Sequence, residues 1–150
     1  MLRALKSMIE EALAGPADPI ARQHMLQLAA AALLIEVTRA DHTRDLAEDE
    51  AVMRAIKRAY HLSDREIATL VDAAEDSVDG AASVQEFTRT LNEQLSAEDR
   101  ATLVEDLWRV AYADGRLDKY EEYMIRKIAD LLYVPHSQFI RAKLQAARSE

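Results

Sequence analysis

Apolar residues recur along this chain at the three- and four-residue spacings of amphipathic helices. The clearest set lies at positions i, i+3, i+4 and i+7, which an α-helix places on one side: Ile67, Leu70, Val71 and Ala74. No stretch alternates apolar and polar residues for long enough to predict a β-strand. The pattern therefore predicts an all-α protein.

Residues that favour helix N-termini divide the chain into segments. Asp18 precedes Pro19, which is typical of an N-cap followed by the first helical residue. Five other pairs have the spacing of a capping box or a close relative of it: Asp45/Glu48, Ser63/Glu66, Ser83/Glu86, Ser96/Asp99 and Asp118/Glu121. With Pro135 opening the last helix and an amphipathic N-terminal segment forming the first, the chain is predicted to form about eight helices, at about residues 2–14, 19–40, 46–61, 64–78, 84–94, 97–113, 119–133 and 136–147.

The longest apolar run, residues 28–35, is apolar on all sides of a helix and predicts that helix 19–40 is the central one. A chain of 150 residues suits one domain with a real core. We therefore expect a single helical bundle of seven to eight helices spanning residues 1–150, in which residues 1–17 form an amphipathic helix and a linker.

The second and third predicted helices resemble the sixth and seventh, which indicates an internal repeat over about residues 26–67 and 99–140. Adding 73 to the residue number relates the matching positions: Leu34 to Leu107, Asp41 to Asp114, Asp45 to Asp118, and Glu48 to Glu121. One extra residue in the first copy makes Asp49 an alternative counterpart of Glu121. We expect two helical hairpins related by approximate two-fold symmetry.

The turns of both hairpins are acidic, and this is the chemically distinctive feature of the chain. Asp114, like Asp41, lies at a helix C-terminus, where a carboxylate is unfavourable by ~0.3–1 kcal/mol because it faces the negative end of the helix dipole. Two explanations stay open. Either these carboxylates accept amide hydrogens from the next helix and clasp the hairpin, or calcium or magnesium relieves the crowding of charge. The candidate ligands are Asp114, Asp118 and Glu121, with Asp41, Asp45, Glu48 and Asp49 as a weaker symmetric set.

Composition narrows the function. The chain has 27 Asp and Glu against 19 Lys and Arg, and its net charge of −8 argues against nucleic acid as a partner. The absence of Cys excludes disulfides, thiol catalysis and Cys-ligated zinc. No catalytic motif is present, and the three glycines are too far apart for a phosphate-binding loop, so we expect no enzymatic activity.

Other features suggest a cytoplasmic protein. The eight-residue apolar run is far shorter than the ~20 residues of a membrane span, and Glu10 and Glu11 oppose anionic lipid, so membrane contact is not expected.

Trp108 has the helical spacing of a core residue, and Arg141, Lys143 and Arg148 predict a solvated helix face.

The acidic string from Ala111 to Leu132, together with its first copy, resembles the tellurite-resistance TerB-like family over about residues 26–144. The most telling positions are Ala113-Asp114-Gly115, Leu117 and Glu121, whereas His42 replaces glycine in the first copy. The resemblance implies a helical bundle with acidic residues suspected of binding metal. It also implies a stress- or tellurite-resistance accessory protein that acts through an unidentified protein partner. The alternative is a metal-independent interaction module whose carboxylates are structural caps.

Overall fold

The computed structural model describes residues 7, 10, 18–40, 46–75, 80–113 and 119–148. Within those residues the chain forms seven α-helices and no β-strand, which confirms the all-α prediction. The helices are α1 (Pro19–Ala40), α2 (Leu46–Ala59), α3 (Asp64–Glu75), α4 (Gly80–Gln94), α5 (Ala97–Ala113), α6 (Lys119–Leu131) and α7 (His136–Arg148). Ser7 and Glu10 are helical and exposed, and the rest of the helix predicted over 2–14 lies outside the described residues.

The predicted caps explain where α1 and α3 begin. The backbone N–H of Ile20 donates to Oδ1 of Asp18 over 3.1 Å, so Asp18 caps α1. Ser63 and Glu66 form a complete capping box. The N–H of Glu66 donates to Oγ of Ser63 over 3.1 Å, and the N–H of Ser63 donates to Oε1 of Glu66 over 2.9 Å. Two donors that the first turn of α3 leaves without helical partners are thereby satisfied.

Other predicted boundaries have mixed outcomes. The N–H of Asp99 donates to Oγ of Ser96 over 3.1 Å, as expected for the start of α5. The start at residue 84 is wrong, because α4 begins at Gly80 and Ser83 lies inside its first turn. Two alanines follow Gly80, and their high helix propensity lets the helix begin a turn before the capping signal. The capping predictions for Asp45 and Asp118 lie outside the described residues.

Helix α6 ends in a Schellman motif, two residues earlier than predicted. The N–H of Val134 donates to the carbonyl of Ala129 over 3.0 Å, and that of Tyr133 donates to the carbonyl of Asp130 over 3.1 Å. Tyr133 has a φ of 55°, in the left-handed region that glycine normally occupies at this position.

Helix α1 is the centre of the bundle, as its apolar sequence predicted. It contacts α2, α3, α4, α5 and α6. Ala29, Ala30, Ala31 and Leu33 are completely buried. Small alanine side chains let the surrounding helices approach the α1 backbone, which explains how one helix accommodates so many neighbours.

The two predicted hairpins are α1 with α2 and α5 with α6, and they pack together through α1 and α5. Each hairpin has the same five-residue gap between its helices, after Ala40 in the first and after Ala113 in the second. The two-fold repeat itself stays a prediction. Helix α7 packs most extensively on α5. None of the helices in the described part of the chain is both long and apolar enough to cross a membrane.

Candidate functional site

The predicted acidic site occupies the two connections between the helices of each hairpin. Asp114 and Asp118 lie in the segment between α5 and α6, and Asp41 and Asp45 lie in the segment between α1 and α2. All four are outside the described residues. The other three candidates belong to the first turns of α2 and α6, but their side chains are also outside the described part: Glu48, Asp49 and Glu121.

The metal hypothesis is therefore not tested at its own residues. Among the side chains that the structure does describe, no group of three or more His, Asp or Glu is placed to hold a metal ion. Chemically, the predicted set suits calcium or magnesium, because both ions prefer hard carboxylate oxygens. The helix ends establish only that each set of carboxylates is confined to one short connection and the helical turn that follows it.

A buried polar cluster that the sequence analysis missed lies where α5 meets α2. Asp106 is 1% exposed, although it sits among core residues of α5. Nη1 of Arg109 donates to Oδ1 of Asp106 over 3.4 Å, and Nη2 of the same side chain donates to Oε1 of Glu105 over 3.2 Å. The hydroxyl of Tyr60, just after α2, donates to the backbone carbonyl of Asp106. The Tyr60 bond thus joins the two hairpins beside polar contacts that lie within α5.

Burial decides the protonation of this cluster. Loss of solvent raises the pKa of Asp106 to about 7, and the positive charge of Arg109 only partly opposes that effect. Burial also raises the pKa of Tyr60 well above its usual value, so this phenol stays protonated. Oδ2 of Asp106 has no hydrogen-bond partner among the described residues. A carboxyl in this position exchanges a proton near neutral pH, but its enclosure keeps it from direct contact with a substrate.

The sequence itself indicates that Asp106 and Glu36 are unusual. Each is a charged residue at a position where the helical pattern calls for an apolar one, and both are nearly inaccessible to solvent. Buried charged groups are rare unless they are paired, because desolvation of the charge is costly. A carboxylate inside a continuous apolar face was therefore the clue to an internal polar cluster.

Two side-chain contacts join the beginning of α1 to the capped starts of α5 and α3. Arg22 pairs with Asp99, and Nε2 of His24 lies 2.6 Å from Oε2 of Glu66. Both carboxylates also belong to helix starts, three residues after Ser96 and Ser63. Asp99 and Glu66 therefore each take part in the start of their own helix, and their carboxylates also contact α1.

Aromatic rings fill the contact between α5 and α7. Trp108 is completely buried, as its spacing predicted. Its ring centroid lies 6.2 Å from that of Tyr112 and 5.3 Å from that of Phe139. Nζ of Lys143 lies 5.2 Å from the Trp108 centroid and 3.7 Å from Oε1 of Glu122. This packing fixes α7 as an integral part of the bundle.

A family model described as tellurite resistance protein TerB matches residues 27–144, most of the chain. The chain belongs to the TerB family. The match begins within α1 and ends within α7, so both acidic connections lie inside the TerB region, as do both hairpins apart from the start of α1. No curated protein and no solved structure matches this chain. The TerB assignment therefore rests on the family model together with the helical fold.

Proposed function

We propose that this TerB-family protein is a non-catalytic cytoplasmic accessory protein of tellurite or stress resistance. In this proposal calcium or magnesium binds the carboxylates of the acidic turns, Asp114, Asp118 and Glu121 above all, and the protein acts through a protein partner. A bound cation would bridge the turn and the start of α6, stiffening that end of the hairpin for the partner.

The observation that carries the proposal is the confinement of these carboxylates to one short connection between two helices and the helical turn that follows it. The segment between Ala113 and Lys119 is only five residues long, so Asp114 and Asp118 are held close in the chain. Carboxylates crowded in this way repel one another, and a cation that neutralises them stabilises the folded hairpin. The family assignment agrees with a resistance role and does not specify a metal.

A second candidate function is a metal-independent interaction module, and the described helix starts favour it. Asp18 and Glu66 both accept backbone hydrogen bonds at the beginning of a helix. Asp118 and Asp45 occupy the matching positions before α6 and α2. In this alternative the acidic residues are caps and clasps, and the protein binds its partner equally well with or without cations.

A thermal unfolding titration separates the two functions. Chelator-stripped protein is heated with calcium, magnesium, manganese or zinc, alongside the variants Asp114→Asn and Asp72→Asn. A ligand at 100 times its dissociation constant stabilises the folded state by about 2.7 kcal/mol, or about 5–10 °C for a domain of this size. We expect such a shift in the wild-type protein and in Asp72→Asn, whose exposed carboxylate on α3 serves as the matched control.

The same shift should be absent from Asp114→Asn. If no ion raises the midpoint of any of the three proteins, and Asp114→Asn is merely less stable than wild type, the metal function is wrong and the capping function is favoured. If all three shift equally, the cation binds elsewhere.

A further inference from the structure

Helix α7 has a charge composition unlike the rest of the chain. Its 13 residues contain Arg141, Lys143 and Arg148 but no Asp or Glu. The chain as a whole has 27 acidic residues and a net charge of −8. A helix of charge +3 therefore lies on a body whose other residues sum to −11.

Large apolar side chains are also exposed on this helix. Ile140 and Leu144 are 37% and 56% exposed, and they lie one helical turn apart. The outward face contains both of them together with other exposed residues at helical spacing: Ser137, Arg141, Gln145 and Arg148. This outward face of α7 spans about 16 Å at 1.5 Å per residue.

The inward face of α7 is already occupied. Phe139, Ala142 and Ala146 are buried, and the Phe139 ring packs on Trp108. Lys143 is engaged between Trp108 and Glu122. Ile140 and Leu144 therefore form a second apolar strip on a helix whose core-facing strip is elsewhere, and folding of the described bundle does not account for them.

The cations beside this strip are available for a partner. Arg141 and Arg148 are exposed, and neither forms an ion pair with any residue in the described part of the chain. Because no acidic residue of α7 competes for them, they favour a negatively charged partner. The apolar strip beside them favours a partner with its own apolar residues one turn apart.

We propose that the outward face of α7 binds an acidic amphipathic helix of a partner protein. Apolar residues of that helix, spaced i and i+4, pack against Ile140 and Leu144, and flanking Asp or Glu residues pair with Arg141 and Arg148. The proposal rests on the proposed function only in that the protein acts through a partner. It requires no cation at the acidic turns.

A lipid surface fits this face less well. Helices that bind in the membrane interface bury a broad apolar face about 5–10 Å deep. Phe139, Ala142 and Ala146 are held in the bundle core, and only a narrow apolar strip faces outward.

The test uses a synthetic helical peptide with Leu at i, i+4 and i+7 on one face and Glu flanking them. Binding to the full-length protein is measured by fluorescence anisotropy in the presence of chelator, so that a failed cation site does not affect the result. Two control peptides replace either the Glu residues by Lys or the Leu residues by Ser. We expect only the first peptide to bind, more weakly as salt concentration rises, and to shift amide resonances of α7.

Variants of the protein test whether the peptide binds at the outward face of α7. Arg141→Glu, and separately the pair Ile140→Ser and Leu144→Ser, should each weaken binding by about tenfold or more. Ile20→Ser is the matched control, because Ile20 is also apolar and 78% exposed but lies on α1. The affinity of Ile20→Ser for the peptide should equal that of the wild-type protein. All variants are first checked for an unchanged unfolding midpoint.

Three results would overturn the proposal. The first is no binding of the acidic peptide, or binding that the α7 variants leave unchanged. The second is binding to vesicles of equal parts phosphatidylcholine and phosphatidylglycerol that the same variants abolish, since the face would then be a lipid surface. The third is a wild-type dimer in sedimentation that Ile140→Ser with Leu144→Ser converts to monomer, since the face would then bind a second copy.

Discussion

Ionisation of the buried Asp106 makes the stability of the fold depend on pH. Its pKa is about 7 in the folded protein, compared with ~3.9 in an unfolded chain. Between these values the folded state holds a proton that the unfolded state has lost. The contribution of Asp106 to stability is therefore fully present below about pH 4, and it is lost as pH rises towards 7.

This loss of stability with rising pH predicts the effect of Asp106→Asn. The amide has nearly the same shape and does not ionise, so the variant should avoid the cost of a buried charge. We expect the variant to be more stable than wild type by about 1–3 kcal/mol at pH 8, and the difference to shrink towards pH 5. Urea denaturation at the two pH values measures it. Asp130→Asn makes the same change at an exposed position of α6 and is the control.

A difference for Asp106→Asn that stays constant between pH 5 and 8 would show that Asp106 keeps a normal pKa. The pairing with Arg109 would then outweigh burial.

Tyr133 stores backbone strain at the end of α6. A residue with a Cβ in the left-handed region costs about 1–2 kcal/mol, and the ring is 77% exposed, so it contributes little packing in return. Tyr133→Gly should therefore stabilise the protein by about 0.5–1 kcal/mol, measured as a rise in the unfolding midpoint.

The control for this prediction is Tyr123→Gly. Tyr123 is likewise exposed but lies within α6, where glycine should destabilise by about 1 kcal/mol. Opposite signs for the two changes would identify backbone conformation as the cause. Destabilisation in both would mean that the Tyr133 ring makes a contribution that its exposure does not suggest.

At the scale of elements, two acidic residues near helix starts join α1 to its neighbours. Asp99 of α5 contacts Arg22, and Glu66 of α3 contacts His24. Burial raises the pKa of Asp99, but hydrogen bonds and charge from Arg22 and Ser96 outweigh it, so the pKa is lowered overall. For Glu66, burial likewise raises the pKa, but hydrogen bonds from Ser63 and His24 outweigh that effect, so the pKa is lowered overall. Both carboxylates therefore stabilise the fold above about pH 4, and this stability is lost as pH falls through their lowered pKa values.

Arg22→Gln should remove one of these contributions. At pH 7 we expect a loss of about 0.5–1 kcal/mol, modest because the Arg22 side chain is 39% exposed. The loss should disappear at a pH low enough to protonate Asp99, which denaturation at pH 7 and pH 2 compares. Arg65→Gln is the control, because Arg65 is exposed on α3. An equal loss at both pH values would assign the effect to packing of the Arg22 stem.

At the scale of the molecule, the bundle depends on close approach to α1. Ala30 is fully buried where α1 is surrounded by other helices. Ala30→Leu should destabilise the protein by about 1–3 kcal/mol or more, because the added atoms have no space and force the helices apart. Chemical denaturation measures this loss. Ala21→Leu makes the same change at an exposed position of α1 and should change stability by less than about 0.5 kcal/mol.

Comparable losses in the two alanine variants would contradict the role of small residues at the centre. A small loss in both would mean that the core adjusts to the added volume.

The sequence by itself determined the helical class, the central position of α1 and several helix starts. These are local properties. Ser63 and Glu66 are three residues apart, so their capping box can be recognised without knowledge of the rest of the chain. The all-sided apolar segment of α1 has no polar face to give to solvent, so it must be central. The acidic turns were also recognised from local charge alone, but their geometry lies outside the described residues.

The tertiary structure alone decided which polar residues were enclosed and which apolar ones were left outside. Arg22 and Asp99 are 77 residues apart in sequence, and Asp106 is buried because α5 packs against other helices. Likewise, Ile140 faces outward although its spacing is as helical as that of the buried Phe139. Periodicity places residues on the faces of a helix, whereas burial and pairing depend on which distant helices cover each face.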